Sequence, residues 1–515
     1  MENTFNQKKH ALKNRAGKAK RRTSLLFVAA MMLGLFAAMP QRAKAQHPPL
    51  GGGNGVTAGS AYQISVPTHL ADLANYVNGG GGTSGVYYKL TTNLDLSGYN
   101  NWDPIGNDED EEYIFYGHFD GAGYTISNLT MEIPDSDAFG LFGNMKGGSI
   151  KNLGLVNVNI VGRSYTGALL GDANSLSQDV VIVIENCYVT GSVSGGSNLG
   201  GLVGRATGSY SENLMIKNCY STAAVSAVSS LGSAGGLVGE ARYTTVENCY
   251  TTGAVSASAS GVGGLVGNND YSSKVTNCYT TGAVDGNAWV GGVVGLNNGG
   301  SQVTNCYATG AVIGSSYVGG VVGVNQNNGT QTTNCVALNS IVKATGYNAY
   351  VGRVIGTKSN NTGNTISGLI AFEGIDPDGG RAFPTATGLA ALNGASKTAH
   401  ELQTASGFPA GFTSSPWTYE GGKLPGLNGQ TVNMPEHLGG TFTPVPIFDG
   451  LANEYTAGAQ AVTLKVTGAG SEHLAVFRVN GETATQFLPS AAGTYLLEAL
   501  STDGKLKIWR YVKVN

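Results

Sequence analysis

Charge is scarce in this sequence: Asp, Glu, Lys and Arg make up 12% of 515 residues, about half the share usual in soluble domains. Acid–base catalysis needs two or more carboxylates, or a basic residue with acids, converging on one face. So thin a supply leaves little to build such a site from. No Gly-x-Ser-x-Gly elbow and no phosphate-binding loop occurs. The longest apolar run, residues 25–39, falls short of the ~20 residues a membrane-spanning helix needs. Between residues 139 and 356 no segment keeps a helical period.

Glycine is what the chain has in excess, 79 residues, about twice the usual share. Gly-rich chains with few charges are disordered when they lack apolar residues to bury. Here Val, Leu, Ile and Tyr recur at fixed places, which excludes that. Ten of the 30 basic residues but one of the 33 acidic ones fall within residues 1–45. The rest carries 20 against 32, net −12, so nucleic acid and anionic lipid are not expected partners. Residues 1–22 are basic, 25–39 apolar, and Ala43-Lys44-Ala45 is a small-x-small site. The pattern is a secretory signal peptide, with cleavage expected after Ala45.

The chain is organised by a repeat. Gly263-Gly264-Leu265-Val266-Gly267 is followed by a polar turn and then Val275-Thr276-Asn277-Cys278-Tyr279. Glycine blocks begin near 139, 167, 200, 235, 263, 291, 319 and 352, a spacing of 28 to 35 residues. Each repeat holds two or three short β runs. A β-only repeat of this length fits one coil of a parallel β-helix, whereas a propeller blade needs ~40 residues. The expectation is about ten coils, stacked ~4.8 Å apart. The glycines read as turns and the Leu and Val as core. Inserts at 174–180, 208–213 and 346–350 lengthen their repeats and should form loops.

Residues 46–60 read as a flexible lead-in and 61–138 as an N-terminal cap with the first coils. In the cap, Thr68 is placed to start a helix with an apolar face of Leu70, Leu73, Ala74 and Val77. Repeats fill 139–374 and the array closes over 375–430, with a short helix near 398–404. Residues 431–446 read as a linker. From 447 to 515 the chain alternates without the repeat, as in a small β-sandwich.

These blocks, Gly-Gly-Leu-Val-Gly and Asn-Cys-Tyr-x-Thr-Gly-x-Val, resemble the GLUG motif repeats of exported bacterial surface proteins. The entry stretches Trp102-Asp103-Pro104-Ile105-Gly106 and Gly140-Leu141-Phe142-Gly143 are similar to the start of such arrays. The resemblance covers roughly residues 60–428. It implies an all-β fold, a right-handed parallel β-helix, on a secreted or outer-membrane-associated protein of adhesin-like role. The repeat also accompanies IgA1-specific metalloproteases with a His-Glu-x-x-His zinc site. Here His400-Glu401 is followed by Thr404 where the second His would stand, so that activity does not carry over. The C-terminal stretch around Gly493-Thr494-Tyr495 is similar to bacterial Ig-like modules.

Three columns follow from stacking the repeats. Asn186, Asn218, Asn248, Asn277, Asn305 and Asn334 stand at a bend, where Asn tolerates left-handed geometry, and form a structural ladder. Cys187, Cys219, Cys249, Cys278, Cys306 and Cys335 follow them. In-register parallel neighbours hold their Cβ atoms farther apart than the ~3.8 Å a disulfide prefers, so buried free thiols are favoured over bridges. A single file of cysteines does not converge on zinc. Tyr188, Tyr220, Tyr250, Tyr279 and Tyr307 form the third column, either a packing ladder or, if outward, a binding strip for sugars or protein. The run 108–112 reads as a solvated acidic loop, and the acids and bases of the repeats read as scattered. Asp95, Asp103 and Asp120 are the remaining carboxylate candidates, in turn contexts.

The expected function is an exported, surface-associated β-helical protein for adhesion or structural display, not an enzyme. No cofactor or metal is expected. The expected partner is a host or bacterial surface protein or glycan, with membrane contact only by peripheral or surface attachment. The alternatives are a carbohydrate-binding module and a polysaccharide-active enzyme.

Overall fold

Along one coil, Val266–Asp270, Lys274–Thr276, Tyr279–Thr280 and Val284–Gly291 are strands. Each pairs in parallel with its counterpart in the next coil: Val275 faces Val246 and Val303, and Val294 faces Val266 and Val322. The computed structural model describes residues 47–439 apart from 108–112, 133–136, 176, 211–212, 231, 348, 360–362, 381 and 385–390, and, between 447 and 514, chiefly strand residues. The signal-peptide expectation at 1–45 and the acidic run at 108–112 therefore lie outside the described residues.

The stack is a parallel β-helix with three walls. One wall is an eleven-stranded parallel sheet running from Tyr62–Ile64 to Thr365–Ser367, and a second is an eight-stranded sheet from Phe142–Met145 to Ile355–Lys358. The third is made of paired strands such as Gly154–Gly167 and Tyr188–Gly200. Alternate side chains point inward. On the eleven-stranded wall the inward column reads Tyr88, Phe119, Ile150, Ile184, Ile216, Val246, Val275, Val303, Thr332. The side chains shrink along the stack, from rings through Ile to Val and Thr. One continuous buried cluster extends from Ile64 to Ile375. Burying each Val, Leu or Ile stabilises by roughly 1.5–3 kcal/mol, which offsets the ordering of a glycine-rich chain.

The glycine blocks combine turning with contact: Gly264 sits at a bend between strands, whereas Gly263 and Gly267 lie within them. Gly263, Gly264 and Gly267 do not have left-handed φ values. A Cβ on Gly264 would lie 2.1 Å from the Gly292 carbonyl oxygen of the next coil, and one on Gly263 would lie 2.0 Å from the Val266 carbonyl oxygen. On Gly267 it would reach the Ala234 backbone nitrogen at 2.7 Å. Backbone here touches backbone, both within a coil and between coils, and no side chain fits. The expectation that these glycines are turn residues is thus corrected for Gly263 and Gly267, which lie in strands, while Gly264 does stand at the bend.

The helix of the entry cap spans Pro67–Asn78 and buries Leu70, Leu73, Ala74 and Val77. Its N-cap is Val66 with no side-chain bond, and Thr68 lies inside the first turn. Pro67 at the first helical position supplies the start, since it lacks the N–H that would need a cap. The lead-in, expected flexible, is tied down: Gly51 N–H donates to the Gln63 carbonyl (2.9 Å), and the His47 ring stacks on Tyr62 at 3.7 Å. At the far end Ala395–Lys397 pairs in parallel with Ile370–Phe372. The helix Ala399–Leu402 follows, with Thr398 and Glu401 forming a reciprocal cap.

Residues 402–438 then run back as a strap. Leu402, Phe408, Phe412, Trp417, Leu424, Leu427 and Leu438 are buried against Tyr279, Tyr307, Val336 and Ile370 of the array. The first part of the expected linker belongs to this strap: Gln403 Nε2 donates to the Leu438 carbonyl (2.7 Å), and His437 Nε2 meets the Leu338 carbonyl at 2.7 Å. From 447 the strands pair mostly antiparallel, Gly493–Ser501 with Lys507–Val514 and with Leu474–Val479, in a five-stranded sheet.

Candidate functional site

The Asn-Cys-Tyr corner is built from the backbone outward. Asn186, Asn218, Asn248, Asn277, Asn305 and Asn334 all hold left-handed φ between 53° and 55°. Asn is one of the few residues that visits this region readily, because its short side chain bonds locally. Asn248 Nδ2 donates to Asn218 Oδ1 (3.3 Å), Asn277 to Asn248 (3.2 Å) and Asn305 to Asn277 (3.1 Å). The ladder continues upward from Asn186 to Asn152 (3.0 Å) and then to Asp120 (3.0 Å).

Each asparagine hands the chain to a cysteine that points inward. All six cysteines are free and buried. The Cys187, Cys219 and Cys249 backbone N–H groups each donate to the next Cys sulfur at 3.4 Å. Thiols donate to the carbonyl two residues back, as Cys249 does to Glu247 at 3.1 Å. Burial pushes the Cys187, Cys219, Cys278 and Cys335 thiols well above their ordinary range.

The tyrosines stack face to face. Successive ring centroids from Tyr188 to Tyr307 are 4.9, 4.7, 4.8 and 5.2 Å apart, with planes within 6°. Tyr188 ends the stack over Gly154, where a Cβ would meet its ring at 2.4 Å. Tyr188, Tyr220 and Tyr250 are half-buried, whereas Tyr279 and Tyr307 are buried beneath the strap. Tyr307 Oη donates to the Pro425 carbonyl at 2.7 Å, and Trp417 lies 5.8 Å from its ring. Burial and the Tyr220 phenol push Tyr250 up to about 12. Every ring face in the middle of this column is occupied by another ring.

Of the charged residues of the repeats, Glu247 joins a column on the eleven-stranded wall, while Lys274 on the same wall stands outside it. Lys89, Asp120, Lys151, Glu185, Lys217 and Glu247 stand in register, alternating in sign from coil to coil. Glu185 bridges Lys151 (3.2 Å) and Lys217 (3.1 Å). Burial raises the Glu185 carboxyl, but the Lys217 and Lys151 ammoniums outweigh it and hold it below the usual range. The column continues as Thr276, Thr304, Thr333 and Ser367. The single repeats hide this because each carries one charge of the set. Beside its first members lies a groove of about 410 Å³, where Tyr87 stacks on His118 at 4.5 Å and His118 Nδ1 meets Ser149 Oγ at 3.0 Å. Burial and Lys151 hold the His118 imidazole below its ordinary range. Asp95 and Asp120 accept from Ser97 N–H (2.9 Å) and Ala122 N–H (2.8 Å), the geometry of turns, and Asp103 from Asn107 (2.9 Å).

A second ridge escaped the sequence reading. Two residues before each glycine block, the corner position reads Tyr165, Asn198, Ser233, Gly261, Trp289, Tyr317 and Tyr350 in successive coils. Tyr165, Asn198, Trp289 and Tyr317 hold left-handed φ of 51° to 57°, so their side chains project from a bend. Arg205 lies over the Tyr165 ring at 3.8 Å and pairs with Asp172 through both oxygens (2.9 and 2.6 Å). Tyr317 stacks on Tyr350 at 5.3 Å. Where the position falls to Ser233 and Gly261, the ridge drops into a notch of about 330 Å³ between Asn198 and Trp289. Its floor is Glu240, which accepts from Asn198 (2.9 Å), Asn268 (3.4 Å) and Arg242 (2.9 Å). The signal for this ridge was present as the triplets Tyr-Thr-Gly, Trp-Val-Gly and Tyr-Val-Gly, set beside the stronger glycine pattern. His400 and Glu401 sit in the four-residue helix, and Glu401 is held to about 2 by Lys397 and the Thr398 cap.

Comparison with known proteins gives the following. The GLUG motif matches residues 230–256, 258–285 and 286–313, so the array carries GLUG repeats. Halomucin of Haloquadratum walsbyi is 34% identical over 161 residues, 30% of this chain and 2% of that protein. A Gly-rich membrane protein of Evansella cellulosilytica is 29% identical over 187 residues, 30% of this chain and 21% of that one. The chain thus matches a small fraction of each relative's length. Among solved structures, a Bacteroides ovatus protein described as an immunoglobulin A1 protease aligns over 74% of this chain and 96% of that one, at 22% identity and a TM-score of 0.43. Among the described residues no helix is long and apolar enough to cross a membrane.

Proposed function

We propose that this chain is an exported, surface-associated repeat protein that acts by presenting a long binding surface, with no catalysis of its own. One observation carries the reading: outer side chains recur in register along a wall of eleven strands. Repeat stacks of this kind create extended faces without needing a catalytic pocket. The basic leader with its small-x-small site at Ala43-Lys44-Ala45 supports export. The names of the relatives, a halomucin and a membrane protein, are in keeping with a cell-surface setting. The protease named among the matched structures is not carried over, because Thr404 stands where a second zinc-binding His would be needed. In this reading the strands beyond 447 form an Ig-like module that serves as spacer or anchor.

The test joins location to binding. Intact cells are treated with external protease and the chain is followed by antibody, while beads coated with the purified chain are scored for attachment to cells and mucin. Loss of the chain from intact cells together with bead attachment is expected. A chain protected until the cells are broken open, on beads that attach to nothing, would reject the reading.

A further inference from the structure

Building on the binding-surface reading, we propose that the notch between Asn198 and Trp289 is a pocket for one neutral sugar ring. Its origin is a missing side chain. Along the ridge, Ser233 and Gly261 stand where neighbouring coils carry Tyr165, Asn198, Trp289 and Tyr317. Its volume, about 330 Å³, lies at the small end of ligand pockets, which span ~300–1,000 Å³.

The walls supply the two contacts that a pyranose needs. Trp289 is half-buried and lines the notch. Among the described residues no other ring stacks on it, unlike the tyrosines of the Asn-Cys-Tyr corner. As a lining residue its indole can offer an apolar surface to the C–H face of a sugar. The same notch is lined by hydroxyl-binding groups: Asn198, Ser260 and the Glu240 carboxylate. Glu240 is held in place by Arg242, Asn198 and Asn268, with its side chain 8% exposed. A carboxylate offers about four acceptor sites. Oε1 is taken up by Arg242 and Asn268, whereas Oε2 accepts from Asn198 and keeps a site for a sugar hydroxyl. The charge pattern selects the class. Arg242 is paired to Glu240 at 2.8 Å, so the two charges offset each other and no unpaired cation lines the notch to hold an acidic sugar. The ligand is a neutral hexose or N-acetylhexosamine.

The experiment uses the full mature chain. Methyl glycosides of glucose, galactose, mannose and N-acetylglucosamine are titrated by calorimetry and saturation-transfer NMR, with N-acetylneuraminic acid as the acidic comparison. At least one neutral probe should bind, and Trp289→Ala should weaken it ~10-fold or more. Trp289→Phe, which keeps a ring, should retain most of the affinity. Ser233→Tyr, which installs the ring that Tyr165 and Tyr317 place at this position farther along the ridge, should block the notch. Tyr220→Ala should change nothing, and circular dichroism of each variant checks the fold. The proposal is overturned if no neutral probe binds at millimolar concentration. It is equally overturned if N-acetylneuraminic acid binds better, or if binding survives both Trp289→Ala and Ser233→Tyr. Attachment of beads coated with Trp289→Ala separates the two ideas. Beads that still attach while the glycosides do not bind leave the surface reading standing and remove the pocket. Glycoside binding by a chain that attaches to no surface does the reverse.

Discussion

Asn277 holds φ at 54° and bonds Asn248 across the coil boundary. A residue with a Cβ but no local bonding costs roughly 1–2 kcal/mol in that region, and the lost hydrogen bond costs about 1 kcal/mol more. Asn277→Ala is therefore expected to destabilise by about 2–3 kcal/mol. Asn277→Gly, free to adopt the left-handed form, should cost less. Urea unfolding of both variants measures this, and an Ala variant as stable as the Gly variant would refute the backbone argument. The neighbouring cysteines make a second prediction. All six are free and buried. A reagent therefore has no path to the sulfurs in the folded chain. Iodoacetamide should label almost none in the native protein and all six after unfolding. A melting temperature that falls on addition of a reductant would instead reveal bridges. The Asn ladder was legible in the sequence because the identical triplet recurs. The second ridge was not, because its residues change from Tyr to Asn to Ser to Gly to Trp and only their placement before the glycine block is constant.

The strap shows how an element is recruited by a repeat. Tyr279 and Tyr307 carry the same motif as Tyr188, yet they are buried, because Phe412 and Trp417 of residues 402–438 lie on them. Removing a buried Trp side chain costs about 3–5 kcal/mol. Trp417→Ala should lose that much stability and expose Tyr307 to titration at lower pH, since burial is what raises it. A loss below ~1 kcal/mol, with Tyr307 unmoved, would mean that the strap is dispensable. The sequence offers the aromatic residues of this strap but not their target. A chain returning over its own repeats obeys no period, so its contacts could not be read from spacing.

Across the whole molecule the alternating column from Lys89 to Glu247 stands in register over six coils, and ion pairs of Glu185 tie its middle three together. Like charges would face one another in any stack that skipped a coil, so the column favours one register. Glu185 lies between two lysines and its carboxyl is held below the ordinary range. A lowered folded value means stability that is present above the unfolded carboxylate range, near pH 4.3, and lost as pH falls through the folded value. The native chain should therefore lose melting temperature below about pH 4.3, and Glu185→Gln should flatten that slope. Salt should weaken the same contribution, because the bridging lysines are partly exposed. An identical acid slope in both proteins would show that the column contributes nothing. The fold itself was legible: a β-only period near 28 residues leaves few architectures open.

Local chemistry repeated at one period determined that these residues coil, that Asn takes the bend and that Cys and Val face inward. Those outcomes depend on each residue and its neighbours within a coil. Stacking decided the rest. Glycine became a contact residue because the next coil's Gly292 carbonyl lies 2.1 Å from where a Cβ on Gly264 would stand. Single charges became an alternating column because strands thirty residues apart are brought into register. Two small residues became a notch because larger ones flank them above and below. Such features exist only between coils, where atoms distant in sequence meet, and no window along the chain contains them.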